Sequence, residues 1–192
     1  MRLVAGVDEA GRGPLAGPVV AGAVILDPAC VPAGIRDSKQ LSERARTRLF
    51  DEIVEAAIAV GVGVVAPEVI DRVNILKATL EAMAESVRGL EVQPDCVIVD
   101  GRSLPDLETP TVALVRGDAR CVSVAAASIV AKVTRDRIMV EMDEIHPQYR
   151  FARNKGYGTR DHLEALRRFG PTPVHRFSFR PVSAVAGVRV AE

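Results

Sequence analysis

Two apolar, β-branched runs near the amino terminus are separated by a segment rich in glycine and proline, and few folds accept that arrangement. Leu3, Val4, Ala5 and Val7 read as a short buried strand, and Val19 to Leu26 as a second, closed by Asp27-Pro28. Gly11, Gly13, Pro14, Gly17 and Pro18 lie between them, so the chain turns back and a hairpin is expected. The glycine spacing also has the outline of a dinucleotide-binding fingerprint. That motif must open a helix, whereas this one leads into the β-branched run from Val19.

The turn is charged. Asp8 and Glu9 follow the first strand directly and Arg12 sits between Gly11 and Gly13, placing two carboxylates and a guanidinium where open α/β sheets bind ligands. Neighbouring strand residues point to opposite faces, so the two acids are expected to share a site only if the strand ends at Val7 and the backbone turns there. In isolation the pair reads as an Asx-type turn.

Further along, Ser42 is placed to cap a helix, with Leu49, Phe50, Ile53, Val54 and Ala57 at helical spacing. Ala59 to Val65 reads as a strand. Pro67 opens a helical stretch in which Leu76, Leu80, Met83 and Val87 share a face until Gly89. Val97 to Val99 and Val112 to Val115 read as buried strands, and Ser123 to Ile145 as the longest helix, alanine-rich at its start. Thr159 is placed to cap a last helix through Phe169, stopped by Gly170-Pro171.

The acids then recur. Asp100 follows Val97 to Val99, and Asp118 follows the run Val112 to Val115, so three strand ends offer four carboxylates: Asp8, Glu9, Asp100 and Asp118. If those strands are neighbours the acids converge, and packed carboxylates stay ionised only beside cations. Hard oxygen donors favour Mg²⁺ or Mn²⁺. Two such ions roughly 3.5–4 Å apart activate a water and stabilise the leaving oxygen of a phosphoryl displacement.

Composition excludes several alternatives. The 192 residues suit one domain, and 48% apolar with 26% charged residues is ordinary for a globular chain. Cys30, Cys96 and Cys121 are odd in number and lack zinc-ligand spacing, so neither a disulfide framework nor a zinc site is suggested. No apolar stretch approaches a membrane span and no signal-like segment precedes Asp8, so a cytoplasmic location is expected. The net charge is zero, yet from Ile145 onward nine Arg and Lys face three acids. An acidic body with a basic final quarter suits cations in one place and a polyanion in another.

Together these segments resemble the bacterial ribonuclease HII family, the type 2 ribonucleases H, along nearly the whole chain. The matching pieces are Gly6 to Pro14, Asp37-Ser38-Lys39-Gln40-Leu41-Ser42, Val99-Asp100-Gly101, Gly117-Asp118, Ala126 to Asp136, Lys155-Gly156-Tyr157-Gly158-Thr159 and Gly170 to Pro173.

The resemblance implies an RNase H-like α/β fold: a mixed five-stranded sheet, its first three strands antiparallel, flanked by helices, with a short helical C-terminal region. It implies a single catalytic domain over residues 1–192, with residues 145–192 a basic substrate-binding region. It further implies an endoribonuclease that cleaves the RNA strand of RNA/DNA hybrids and the 5′ side of single ribonucleotides in duplex DNA, leaving 3′-hydroxyl and 5′-phosphate ends. Asp8, Glu9, Asp100 and Asp118 become the metal-binding catalytic acids. Gly11, Arg12 and Gly13 become the segment that detects the ribose 2′-hydroxyl, and Tyr157 the ring that stacks on the following sugar. Bare glycine backbone permits such an approach, and a tyrosine between two glycines is free to stack.

Lys39, in a loop before a helix, is placed to meet a phosphate. His175 and Arg176 lie in the basic quarter and are candidates for the nucleic-acid backbone, whereas His146 and His162 read as ordinary helix residues and Lys132 with Asp136 as a helix-surface pair. Arg116 stands where the family often has Lys, and Phe177 where a second basic residue commonly follows the His-Arg pair. The terminal residues carry no Gln-containing clamp-binding motif, and a monomer is expected.

Overall fold

The computed structural model describes residues 2–187; Arg189 and the other terminal positions of the basic quarter and of the clamp-motif reading, 188–192, lie outside them. Five strands form one sheet: β1 (Val4–Ala10), β2 (Val19–Leu26), β3 (Ala57–Val65), β4 (Cys96–Asp100) and β5 (Thr111–Leu114), in the order β3-β2-β1-β4-β5. The first three are antiparallel neighbours, and β4 and β5 join in parallel, as expected. Helices α1 (Glu43–Ala56), α2 (Pro67–Val73), α3 (Ile75–Arg88) and α4 (Val122–Ile145) flank the sheet, and α5 (Phe151–Asn154), α6 (Arg160–Phe169) and α7 (Arg180–Ala186) complete the chain.

The central β2 is buried at every residue, which its uninterrupted apolar run requires. One core joins β1, β2 and β4 to α3 through Val7, Val19, Ile25, Met83 and Val99; the other joins β2 to α1 and α4 through Val24, Leu49, Ile53, Ile129 and Val130. Each such side chain contributes about 1.5–3 kcal/mol when fully buried. Glycines let the layers touch. A Cβ at Gly6 would lie 2.2 Å from the Ser123 backbone of α4, and one at Gly63 would lie 2.0 Å from the Ala82 carbonyl of α3.

Several boundaries differ from the sequence reading. The stretch from Pro67 to Gly89 is two helices, because Asn74 adopts a left-handed φ of 74° and its side chain caps α3 by accepting from the amides of Leu76 and Lys77. Leu76 in that first turn is exposed, whereas Met83 and Val87 are buried as expected. Ala57 opens β3 instead of closing α1, and Val54 faces solvent. Strand β1 does not end at Val7: its pairing with β4 stops there, but Asp8, Glu9 and Ala10 remain paired with Gly22, Ala21 and Val20 of β2. The acids thus stand on half-paired backbone at the rim, and the turn begins at Gly11.

The last quarter packs over the connection between β1 and β2. An isolated bridge pairs Ala16 with His175, the Leu15 amide donates to the Gly156 carbonyl (2.8 Å), and the Arg176 amide donates to the Leu15 carbonyl (2.8 Å). Asp71 of α2 fastens this segment by accepting from the Phe177 and Ser178 amides, both at 2.8 Å.

Candidate active site

Three neighbouring strands, β1, β4 and β5, deliver the four acids to one rim. Asp8 stands next to the point where β4 ends in Asp100, and Asp118 lies in the 3₁₀ turn Gly117–Ala119 just past β5. That turn is pinned to its neighbour: the Gly117 amide donates to Asp100 Oδ1 at 2.6 Å. Asp8 is 6% exposed, and its Oδ1 accepts from the Glu9 amide at 2.7 Å. Burial first, then the charges of Glu9, Asp100 and Asp118, hold its carboxyl well above the usual carboxylate range. Asp8 thus feels the charges of Asp100 and Asp118 from the neighbouring strand ends and that of Glu9 beside it, although β1 runs on past both acids to Ala10.

The cluster attracts cations of the chain itself. Asp37 caps the 3₁₀ turn Ser38–Gln40 by accepting from the Lys39 amide (2.9 Å), and the Ser38 amide donates to Ser128 Oγ on α4 (3.3 Å). Lys39 Nζ thereby reaches within 3.9 Å of Asp118 Oδ2. Partial burial pushes its ammonium down, but Asp37, Asp8, Asp118 and Asp100 together hold it above its ordinary value. Arg12 Nη1 donates to Glu9 Oε1 at 3.3 Å. Each acid has an alternative partner, and among the described residues no three acidic, histidine or cysteine side chains are gathered closely enough to enclose an ion. The donor set is nonetheless all hard oxygen and carries negative charge that a buried Asp8 tolerates poorly, which fits a divalent cation.

Beside the rim lies a cleft of about 230 Å³, lined by Glu9, Gly11, Arg12, Gly13, Lys39 and Tyr157. All five residues expected to meet substrate thus line one cavity, and Glu9 belongs to both cavity and acid cluster. Gly11 has φ 99°, and a Cβ there would fall 2.1 Å from Arg135 Nε, so only glycine fits. Tyr157 is half exposed, its ring facing Gly13. It follows two left-handed residues, Lys155 (φ 51°) and Gly156 (φ 82°), which turn it to the mouth of the cleft.

Two arginines are internal. Arg176, a candidate for the nucleic-acid backbone, has no exposed surface: it donates to the carbonyls of Gly11 (2.6 Å), Arg12 (3.0 Å), Gly17 (2.9 Å) and Pro18 (3.1 Å). Burial, then the neighbouring Arg135, lowers its guanidinium to about 9, still protonated at neutral pH. Arg135, on α4, donates to Pro18 (3.0 Å), Lys155 (2.9 Å) and Ala16 (3.1 Å). His175, likewise expected near nucleic acid, and His162, expected to be ordinary, are both fully buried. The forks suit carbonyl-lined loops better than an ammonium would, but residue type alone does not distinguish this use from a solvated arginine. Lys132 and Asp136 pair as expected, at 2.6 Å.

A mixed sheet of this order, with acids on β1, β4 and just past β5, defines an α/β protein of the RNase H-like class. Ribonuclease H2 from Pyrococcus horikoshii OT3 has the same fold, with a TM-score of 0.81 at 28% identity over 96% of this chain and 97% of that one. The ribonuclease HII chain of a PCNA complex from Archaeoglobus fulgidus superposes with a TM-score of 0.78 at 28% identity, over 93% and 95%. The family model described as Ribonuclease HII matches residues 5–182, and the chain belongs to that family. Ribonuclease HII of Bacillus velezensis is 54% identical over 183 residues, 95% of this chain and 71% of the relative. That of Lactobacillus delbrueckii subsp. bulgaricus is 50% identical over 191 residues, all of this chain and 74% of the relative. Membership makes the protein an endoribonuclease with ribonuclease H activity on RNA/DNA hybrids.

Proposed function

We propose that the protein also cuts duplex DNA on the 5′ side of a single embedded ribonucleotide, leaving 3′-hydroxyl and 5′-phosphate ends, as one catalytic domain working in the cytoplasm. Asp8, Glu9, Asp100 and Asp118 would hold two divalent ions, Mg²⁺ or Mn²⁺. Bound there, such ions supply an activated water and neutralise charge on the leaving oxygen. A ribonuclease HIII in complex with Mn²⁺ shares the fold, with a TM-score of 0.79 at 21% identity, over 97% of this chain and 70% of that one.

The chain's own residues perform the recognition. Arg176 draws the carbonyls of Gly11 and Arg12 inward. Across a trans peptide the amide points the opposite way, so the N–H groups of Arg12 and Gly13 turn from Arg176 toward the cleft, where a ribose 2′-hydroxyl and its phosphate would approach. Tyr157 would stack on the next sugar, and Lys39 would leave Asp118 for a phosphate. Exposed Arg150, Arg153, Arg160, Arg167 and Arg168 would make residues 145–192 the face that follows the duplex backbone.

One observation carries the reading: Glu9 belongs to the acid cluster and lines the cleft that holds Gly11, Gly13 and Tyr157, so chemistry and ribose sensing adjoin. The test is a DNA duplex with one internal ribonucleotide, incubated with and without Mg²⁺ or Mn²⁺. A nick on its 5′ side only with metal, with all-DNA duplex intact, is expected. Equal nicking in excess chelator, or of all-DNA duplex, overturns it.

A further inference from the structure

Two buried histidines connect the segment after α6 to the backbone of Tyr157. His162 Nδ1 lies 2.9 Å from the Tyr157 carbonyl oxygen, and its Nε2 lies 3.1 Å from Nε2 of His175. A carbonyl only accepts, so Nδ1 of His162 carries the hydrogen and, in a neutral ring, Nε2 is left as an acceptor. His175 must then donate from Nε2, which leaves its Nδ1 to accept. That is what the Thr172 amide, 3.1 Å away, demands. Every hydrogen in the relay is fixed by its neighbours: Thr172 N–H to His175, His175 to His162, His162 to Tyr157.

The surroundings keep both rings neutral. Tyr149 and Phe151 pack against them, and the charged or titratable neighbours are His146, Arg176 and the Tyr149 hydroxyl, which donates to the Gly170 carbonyl. Burial lowers His162, and burial followed by His162 and His146 lowers His175 to about 4. The relay meets the chain just after a costly turn, because Lys155, two residues before Tyr157, is a left-handed non-glycine residue.

We propose that His162 and His175 are positioning residues for the cleft: their relay holds the Tyr157 carbonyl and thereby sets the angle of its ring beside Gly13. The proposal rests on the reading of Tyr157 as a nucleotide-stacking residue.

Nitrogen-15 spectra of the labelled enzyme, which has three histidines, read the tautomers directly. A hydrogen on Nδ1 of His162 and on Nε2 of His175 is expected; Nε2–H on both overturns the relay. Kinetics on a duplex with an RNA–DNA junction then test its use. His162→Leu should raise KM about three- to tenfold, the size of one lost hydrogen bond, with kcat near wild type. His162→Asn, whose side-chain amide replaces the Nδ1 donor, should recover most of that loss. The penalty should vanish in a Tyr157→Ala background; a penalty of undiminished size there overturns the proposal. Tyr157→Ala with an unchanged KM overturns the stacking reading itself, whereas a normal Tyr157→Ala defect beside a silent His162→Leu overturns the relay alone. Should His162→Leu fail to fold, the wild-type spectra still decide.

Discussion

Arg176 Nη2 donates to the carbonyl oxygen of Gly11 across 2.6 Å, joining residues 165 positions apart. The recognition loop issued by β1 is therefore shaped by the last quarter of the chain. Arg135 holds the neighbouring carbonyls from α4, so the loop rests on two guanidiniums whose hydrogen bonds go to backbone carbonyls.

Replacing Arg176 by Met should leave several buried carbonyls without a donor, at about 1–3 kcal/mol each. A loss of about 3–5 kcal/mol is expected in urea unfolding, with Arg176→Lys intermediate because an ammonium cannot fork. Where the variant still folds, preference for the ribonucleotide-containing duplex should fall more than hybrid binding. Stability within about 0.5 kcal/mol of wild type would contradict the clamp.

Asp8→Asn should abolish cleavage and stabilise the metal-free protein. Burial and three neighbouring acids raise this carboxyl because its charged form is disfavoured in the fold, and the amide removes both the charge and the repulsion. Calorimetry without metal should show Tm rising by about 2–4 °C for each kcal/mol relieved. A lower Tm, or near wild-type turnover across a metal titration, would count against the acid cluster.

Tyr157→Ala should cost about 1–3 kcal/mol in kcat/KM on an RNA–DNA junction, and less on a continuous hybrid, where the ring would meet a second ribose. Equal losses would leave Tyr157 a general binding residue. No loss would return it to packing under its own loop.

Acid should weaken the fold through the histidine pair. Both folded-state values lie below the ordinary 6.5, so their contribution is full above about pH 6.5 and is lost below it; for His175, held at about 4, the loss runs on toward pH 4 at about 1.4 kcal/mol per unit. Asp8, raised instead of lowered, works in the opposite direction. Denaturant midpoints of wild type and His175→Gln at pH 7, 6 and 5 separate the two, since the variant should lose less on acidification. Parallel curves would show that the pair does not titrate in this window.

Much of this was legible in the sequence because strands and acids announce themselves locally. The run Val19 to Leu26 is apolar because β2 has no wet face, and Asp8, Asp100 and Asp118 stand where apolar runs stop, although β5 is not the buried strand expected, since Val112 is exposed. Tyr157 and Gly11 to Gly13 were legible through a resemblance that covers whole segments. Arg135, Arg176, His162 and His175 were not. Their roles depend on carbonyls brought from elsewhere in the chain, and a buried arginine has the same letter as a solvated one. The end of β1 was misplaced for a related reason: hydrophobic pattern cannot show that β2 pairs on beyond the point where β4 stops.

The clamp has a consequence for synthesis. The loop at Gly11 to Pro18 is synthesised long before Arg176, and before the Phe177 and Ser178 amides that Asp71 holds. At about 5–20 residues per second the stretch from Asp118 to Arg176 takes on the order of three to twelve seconds, during which the acids of the rim are made and the loop is unshaped. A chain that stalls in that interval would carry the carboxylates but not the clamp on the proposed ribose-sensing loop, so discrimination would arise after the acids that do the cutting.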